Sequence, residues 1–177
     1  MNRTEIEIAL NRDRAWLIET FAALSETDVT RPATQSEHDP ASMWSAKDHL
    51  AHLAGIERTF NAMIRRHLAG DQNPVALVAN ADGTRRPMDQ IMAEVHAMNE
   101  RVVAEHRDRP LGAVVALGQR VRAETLALLG ELTDDQLAEK LPGAPWADGT
   151  VGGVLATNAG HGRMHWQAVK DGWAAGG

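Results

Sequence analysis

The chain contains no cysteine. Disulfides, thiolate metal ligands and a cysteine nucleophile are thereby excluded, leaving histidine and carboxylate as the side chains able to hold a metal. Any thiol chemistry would take its sulfur from another molecule. Tyrosine is also absent, which removes one kind of general acid. Neither Gly-x-Ser-x-Gly nor Ser-x-x-Lys occurs, and there is no glycine-rich phosphate loop, so serine-centred and nucleotide chemistry have no support. No apolar run approaches the roughly 18 residues that span a bilayer. Met1-Asn2-Arg3-Thr4-Glu5-Ile6-Glu7 carries charge where a signal peptide needs an apolar stretch. The expectation is a cytoplasmic protein with no membrane partner. Basic blocks are missing too: 18 Lys and Arg stand against 24 Asp and Glu, a net charge of −6. Nothing in this balance looks built to neutralise a phosphate backbone. A small-molecule substrate and no nucleic-acid partner are therefore expected.

What is present reads as helix almost throughout. With 177 residues and 44% apolar content, residues 1–177 suit one domain with a sizeable core. Thr4 and Glu7 form a capping-box pattern ahead of a stripe of Ile6, Leu10, Leu17, Phe21 and Leu24, with a turn following over 25–32. Residues 31–43, carrying Pro32 and Pro40, read as a loop that leads to Ser45, which with Asp48 caps a second helix running to about Ala69. Gly70, Asn73 and Pro74 end it, and a loose segment continues to Pro87. A third helical region covers 88–107, breaks at Pro110, and resumes from about Leu111 to Leu129. After the proline-containing loop at 141–149, Thr150 caps a last helix ending near Trp173. The pattern predicts an all-α, up-down four-helix bundle with an extra short helical segment. Such bundles commonly hold metal between facing helices. Ile91, Met92, Val95, Met98 and Val102 exceed what a four-helix core needs. They point either to a homodimer face or to a fifth helix packed across the bundle.

The chemistry concentrates in histidine. His161 and His165 are four apart, so on a helix they share a face and can chelate one ion. At about 100° per residue, Val154, Asn158, His161, His165 and Val169 fall on that one inward face. Two hydrogen-bonded core histidines would produce the same spacing, and with eight histidines in the chain the coincidence is ordinary. The second helix offers His49 and His52. Its stripe of Leu50, Leu53, Ile56, Phe60 and Ile64 is centred closer to His49, with His52 toward the edge. His67 lies too far along the same helix to serve the same ion. It reads as a surface or interface residue, as do His38, His96 and His106.

Trp44-Ser45-x-x-Asp48-x-x-x-His52-Leu53-x-x-x-Glu57, followed about a hundred residues later by His161-x-x-x-His165, resembles the DinB/YfiT-like superfamily of metal-binding four-helix bundles. The likeness is strongest to the mycothiol-dependent maleylpyruvate isomerase-like branch. It extends through Leu132-Thr133-Asp134-Asp135-Gln136-Leu137 and Pro142-Gly143-Ala144-Pro145-Trp146. The resemblance implies His52, His161 and His165 as ligands of a divalent metal, zinc or nickel, with one coordination position open. It also implies a low-molecular-weight thiol such as mycothiol or bacillithiol as co-substrate.

Three neutral imidazoles leave a divalent cation its full charge, which lowers the pKa of a thiol or water at the open position. Three readings follow: a thiol-dependent S-transferase or isomerase acting on small electrophiles, a hydrolase or detoxifying enzyme using metal-bound water, and a non-catalytic metal-binding stress-response bundle. Asp48 is a candidate to orient His52 from one turn away, with capping of Ser45 as its alternative role. Glu57 is a candidate base or else a solvating glutamate, and Asn158 is a candidate ligand contact or else a packing residue. Trp44 and Trp146 either wall a pocket or pack at the helix starts.

Overall fold

The computed structural model describes residues 1–80 and 82–176. Ala81, within the segment expected to be loose, and Gly177 lie outside the described residues. Along the chain come α1 (Arg3–Ala22), α2 (Glu26–Thr30), β1 (Pro32–Gln35), β2 (Met43–Ser45), α3 (Ala46–Leu68), α4 (Met88–His106), α5 (Leu111–Glu131), α6 (Asp134–Ala138) and α7 (Val151–Ala175). The architecture is the expected all-α bundle. No described helix is long and apolar enough to cross a membrane.

Helices begin where side chains satisfy free backbone donors. Ser45 and Asp48 cap α3 reciprocally, and Thr150 caps α7. The box at the start of α1 is Asn2 with Glu5, each accepting the other's backbone N–H at 2.9 Å, and not Thr4 with Glu7. The Asn2 side chain reaches the free donors two residues earlier, so the helix has already begun at Thr4. The 31–43 segment is more than a loop. β1 pairs antiparallel with β2, Thr34 opposite Trp44 and Gln35 opposite Met43. Strands of four and three residues are too short for alternation to show in a sequence. The short helix α2 likewise occupies a segment read as a turn, and α6 starts on a capping box of Thr133 and Gln136.

α3 is central, packing on α5, α7 and α4, while α1 closes the bundle against α7 and α5. α4 is the fifth long helix laid across the bundle. Ile91 is buried in the core, Val95 packs on it and Val102 meets α3 at Gly55, although Met92 is exposed.

Two apolar clusters fill the interior. One gathers Ile6, Leu10, Phe60, Ile64, Leu128 and Leu155. The other gathers Leu17, Phe21, Ala46, Leu50, Val114 and Val169. Each fully buried Leu, Ile or Phe contributes about 1.5–3 kcal/mol. Between the clusters, at mid-height of α1, α3, α5 and α7, runs a belt of buried polar side chains: Asp13, Arg14, Glu57, Arg122, Thr125 and Asn158. The site lies beside this belt.

α7 is not the single straight helix that the periodicity predicts. Ala159 (φ −86°, ψ 116°) and Gly160 (φ 99°, ψ −23°) form a type II turn inside it. Glycine suits the second position because a left-handed backbone there is strained for other residues. The N–H of Gly160 donates to Asp13 Oδ1 at 3.2 Å, replacing a ladder bond that the turn breaks. Beyond the turn, Gly172 lets α7 approach the backbone of β1 at Ala33 more closely than any side chain would permit.

Candidate metal centre

Four imidazoles meet where α3 faces the second half of α7. His52, His161 and His165 each present a ring nitrogen within 4.8 Å of the others. His165 and His161 bring their Nε2 atoms to 3.1 Å. His52 stacks obliquely on His165, ring centroids 4.6 Å apart, and its buried Nδ1 has no hydrogen-bond partner. Leaving such an atom unsatisfied costs about 1–3 kcal/mol.

His49 completes the cluster from one turn earlier on α3. Its Nδ1 lies 2.8 Å from His165 Nδ1, and its Nε2 lies 2.8 Å from Thr34 Oγ1 on β1. The two histidines between which amphipathicity and family register divided thus both stand in the site. His52 faces the His161–His165 pair, whereas His49 supports His165 from behind.

Burial keeps these rings uncharged. Desolvation lowers His49 to about 4. It lowers His52 to about 3, helped by the neighbouring His161 and His49. His165 is lowered by desolvation and then by His52, His161 and His49, and desolvation also lowers His161. At neutral pH the cluster presents lone pairs and not positive charge.

Asp48 does not reach His52: its Oδ2 accepts from the backbone N–H and the hydroxyl of Ser45, both at 2.8 Å. The cap at the start of α3 thus engages Oδ2. Glu57 is not a free base either. Arg122 Nε donates to its Oε1 at 2.6 Å, Arg14 donates to Oε2 at 3.0 Å, and the Thr125 hydroxyl donates to Oε1 at 2.8 Å. Arg14 and Arg122 escape a local reading of the sequence because they come from α1 and α5. Asn158 is buried at the break in α7 with its Nδ2 unpartnered, and together with Asp13 and His161 it lines a small interior cavity. Burial pushes the Asp13 carboxyl up, against the Gly160 hydrogen bond and Arg122, Arg14 and Arg163.

Trp44 stands with its ring centroid 5.4 Å from His49 and 5.3 Å from His52, and its indole N–H donates to Glu100 at 2.8 Å. Trp146 packs on Phe60 in the opposite half of the core and takes no part in the site. His67 bonds Glu139 far from the cluster. His96, expected at the surface, pairs with Glu37 at 2.9 Å on the rim of a cavity of about 240 Å3 that opens onto His49, His52 and His165. A larger hollow of about 760 Å3 beside Met1, Asp134 and Gly153 contains no imidazole.

A family model of the DinB superfamily matches residues 37–169, the stretch that holds all four imidazoles. No curated protein matches the chain. Among solved structures, the fold is similar to an uncharacterised protein from Escherichia coli UTI89, with 18% identity, 99% of this chain and 94% of that one covered, and a TM-score of 0.60. It is also similar to the colibactin self-resistance protein ClbS, solved in complex with a double-stranded DNA, with 14% identity, 96% and 92% covered, and a TM-score of 0.65. The expectation that nucleic acid is excluded does not stand. It rested on net charge and the lack of a basic block, and a protein of this fold is found on duplex DNA.

Proposed function

The chain belongs to the DinB superfamily, and from that footing we propose that it is a metalloprotein whose His52, His161 and His165 hold one divalent ion, zinc or nickel. The observation that carries this reading is the convergence of their three ring nitrogens. With metal–nitrogen bonds of about 2.0–2.1 Å, two ligands of a tetrahedral ion stand roughly 3.3 Å apart. The His161 and His165 Nε2 atoms are 3.1 Å apart. The unpartnered Nδ1 of His52 and the neutral state of the rings suit the same donor set.

The chain's own residues then have definite tasks. For His165 to offer the Nε2 lone pair, its proton sits on Nδ1 and is donated to His49 Nδ1. His49 in turn carries its proton on Nε2 and donates it to Thr34 Oγ1. This relay fixes one tautomer and one ring orientation, the usual task of groups behind a metal-ligating histidine. Trp44 packs its ring against His49 and His52 and so helps to fix their orientation. When bound, a divalent ion among three neutral imidazoles would lower the pKa of a thiol or water beside it.

The reaction we assign is transfer of an external thiol, of the mycothiol or bacillithiol type, to a small electrophile; a chain without cysteine fits an external sulfur. The test is tag-free protein, analysed for metal after reconstitution with zinc or nickel and assayed on an electrophilic halide with and without thiol. Turnover requiring both metal and thiol supports the transferase. Equal turnover without thiol points to hydrolysis, and metal-loaded protein inert in both assays points to a non-catalytic binding bundle. ClbS supplies a second reading, contact with duplex DNA, which a mobility shift at physiological salt would reveal.

A further inference from the structure

α1 contributes no imidazole to the cluster, yet it holds the backbone on both sides of one. Before His161, Asp13 Oδ1 accepts the Gly160 N–H at 3.2 Å. After it, α1 comes so close that a Cβ at Gly162 would lie 2.8 Å from Leu17 Cδ2 and 3.0 Å from Leu17 Cγ. Asp13 and Leu17 are four apart, so they stand one above the other on a single face of α1. Both are buried.

A carboxylate taken out of water is costly unless it is paired. Among the described residues Asp13 forms no ion pair, because Arg14 and Arg122 give their guanidinium hydrogens to Glu57. Arg122, Arg14 and Arg163 favour its ionised form only from beyond ion-pairing distance. Its one hydrogen bond comes from the residue that precedes a candidate ligand. Ala159 and Gly160 leave the helical path, so the first half of α7 does not by itself fix the direction of the ring that follows. The contacts from α1 do.

We propose that α1 sets the aim of the imidazole pair: Asp13 and Leu17 are positioning residues that seat Gly160 and Gly162 and so hold His161 against His165, where both can reach one ion. The proposal rests on the metal reading above and deepens it. Neither residue is a ligand in this account.

The full chain is first analysed for metal after reconstitution with zinc, and zinc affinity is then measured by competition with a chelator. Asp13→Leu removes the acceptor and is expected to weaken zinc about 10- to 100-fold, the scale of groups that orient a ligand from behind. Asp13→Asn keeps an oxygen for the Gly160 N–H and should stay within about 3-fold of the wild type. Gly162→Ala should weaken zinc about 10-fold even though alanine favours a helix. Adding Leu17→Ala to that variant clears the space and should return most of the loss, which a role in stability alone would not do. Equal losses in Asp13→Leu and Asp13→Asn would overturn the proposal, as would unchanged affinity in Asp13→Leu or the absence of rescue by Leu17→Ala. If Asp13→Leu does not fold, the Gly162 variants decide. Wild-type protein that takes up no stoichiometric zinc overturns the metal reading instead. The seating of His161 is then read in the metal-free chain, from the NMR signal of the ring proton between His161 and His165. Asp13→Asn is expected to keep that signal and Asp13→Leu to lose it, and its retention in both would overturn the proposal too.

Discussion

Two buried polar groups stand on neighbouring turns of α3, and they are built on opposite plans. Around Glu57 every strong partner is inside the protein: two guanidinium groups and a hydroxyl meet one carboxylate, and Asn61 donates to that hydroxyl at 2.9 Å. Around His52 the members are neutral, one nitrogen is unpartnered, and a cavity opens beside them. Ions paired from within are the arrangement of a part that holds helices together. Lone pairs without donors, next to open volume, are the arrangement of a part that expects something from outside.

The largest effect should come from removing an imidazole. His165→Ala and His52→Ala are each expected to abolish stoichiometric zinc or nickel by elemental analysis while leaving the helical circular dichroism intact; retention of metal in both would erase the contrast. Glu57→Ala should do the reverse. Two buried arginines left without their carboxylate destabilise a protein by about 3–5 kcal/mol, readable as a fall in the urea midpoint, with metal still bound by the folded fraction. Loss of metal without loss of stability would make Glu57 part of the site.

His49→Ala sharpens the comparison, since it removes only the support behind His165. Metal should still bind, weakened roughly 10- to 100-fold in competition with a chelator. Complete loss would promote His49 to a ligand. The smallest effect concerns the metal-free protein and acid. His52 sits at about 3 when folded against its ordinary 6.5. Below about pH 6.5 the unfolded chain therefore takes up a proton that the folded chain refuses. Stability is retained above that pH and is lost progressively as the pH falls toward 3. His52→Ala should flatten that slope in urea melts run from pH 7 to 5.

The parts of this architecture that depend on near neighbours were legible in the sequence. Ser45 with Asp48 marks the start of α3, and the four-residue interval marks the imidazole pair on α7. What depends on distant partners was not. Glu57 reads as a solvating glutamate until Arg14 and Arg122 arrive from other helices. His49 and His52 cannot be ranked by amphipathicity because both are buried, each 4% exposed, and only the positions of Thr34 and His165 separate their tasks. His96 resembles any surface histidine until the segment after β1 brings Glu37 against it. The break at Ala159 and Gly160 escaped because glycines recur along α7, at 152, 153, 160, 162 and 172, and no local signal marks one of them as the turn. The apolar residues on either side, Val154 and Val169, keep facing inward across it.

That break changes what sets the separation between the two halves of α7. In an unbroken helix, every residue's angle and height follow from its predecessor, and His161 could be moved only by moving Asn158. Here the pivot at Gly160 divides the helix into a segment packed into the lower core and a segment docked on β1. The imidazole pair takes its bearings from α1, α3 and the small sheet, against which this second segment packs. Asp13, which holds the turn at Gly160, and Ala33, which meets α7 at Gly172, therefore bear on where the pair stands although neither belongs to the cluster.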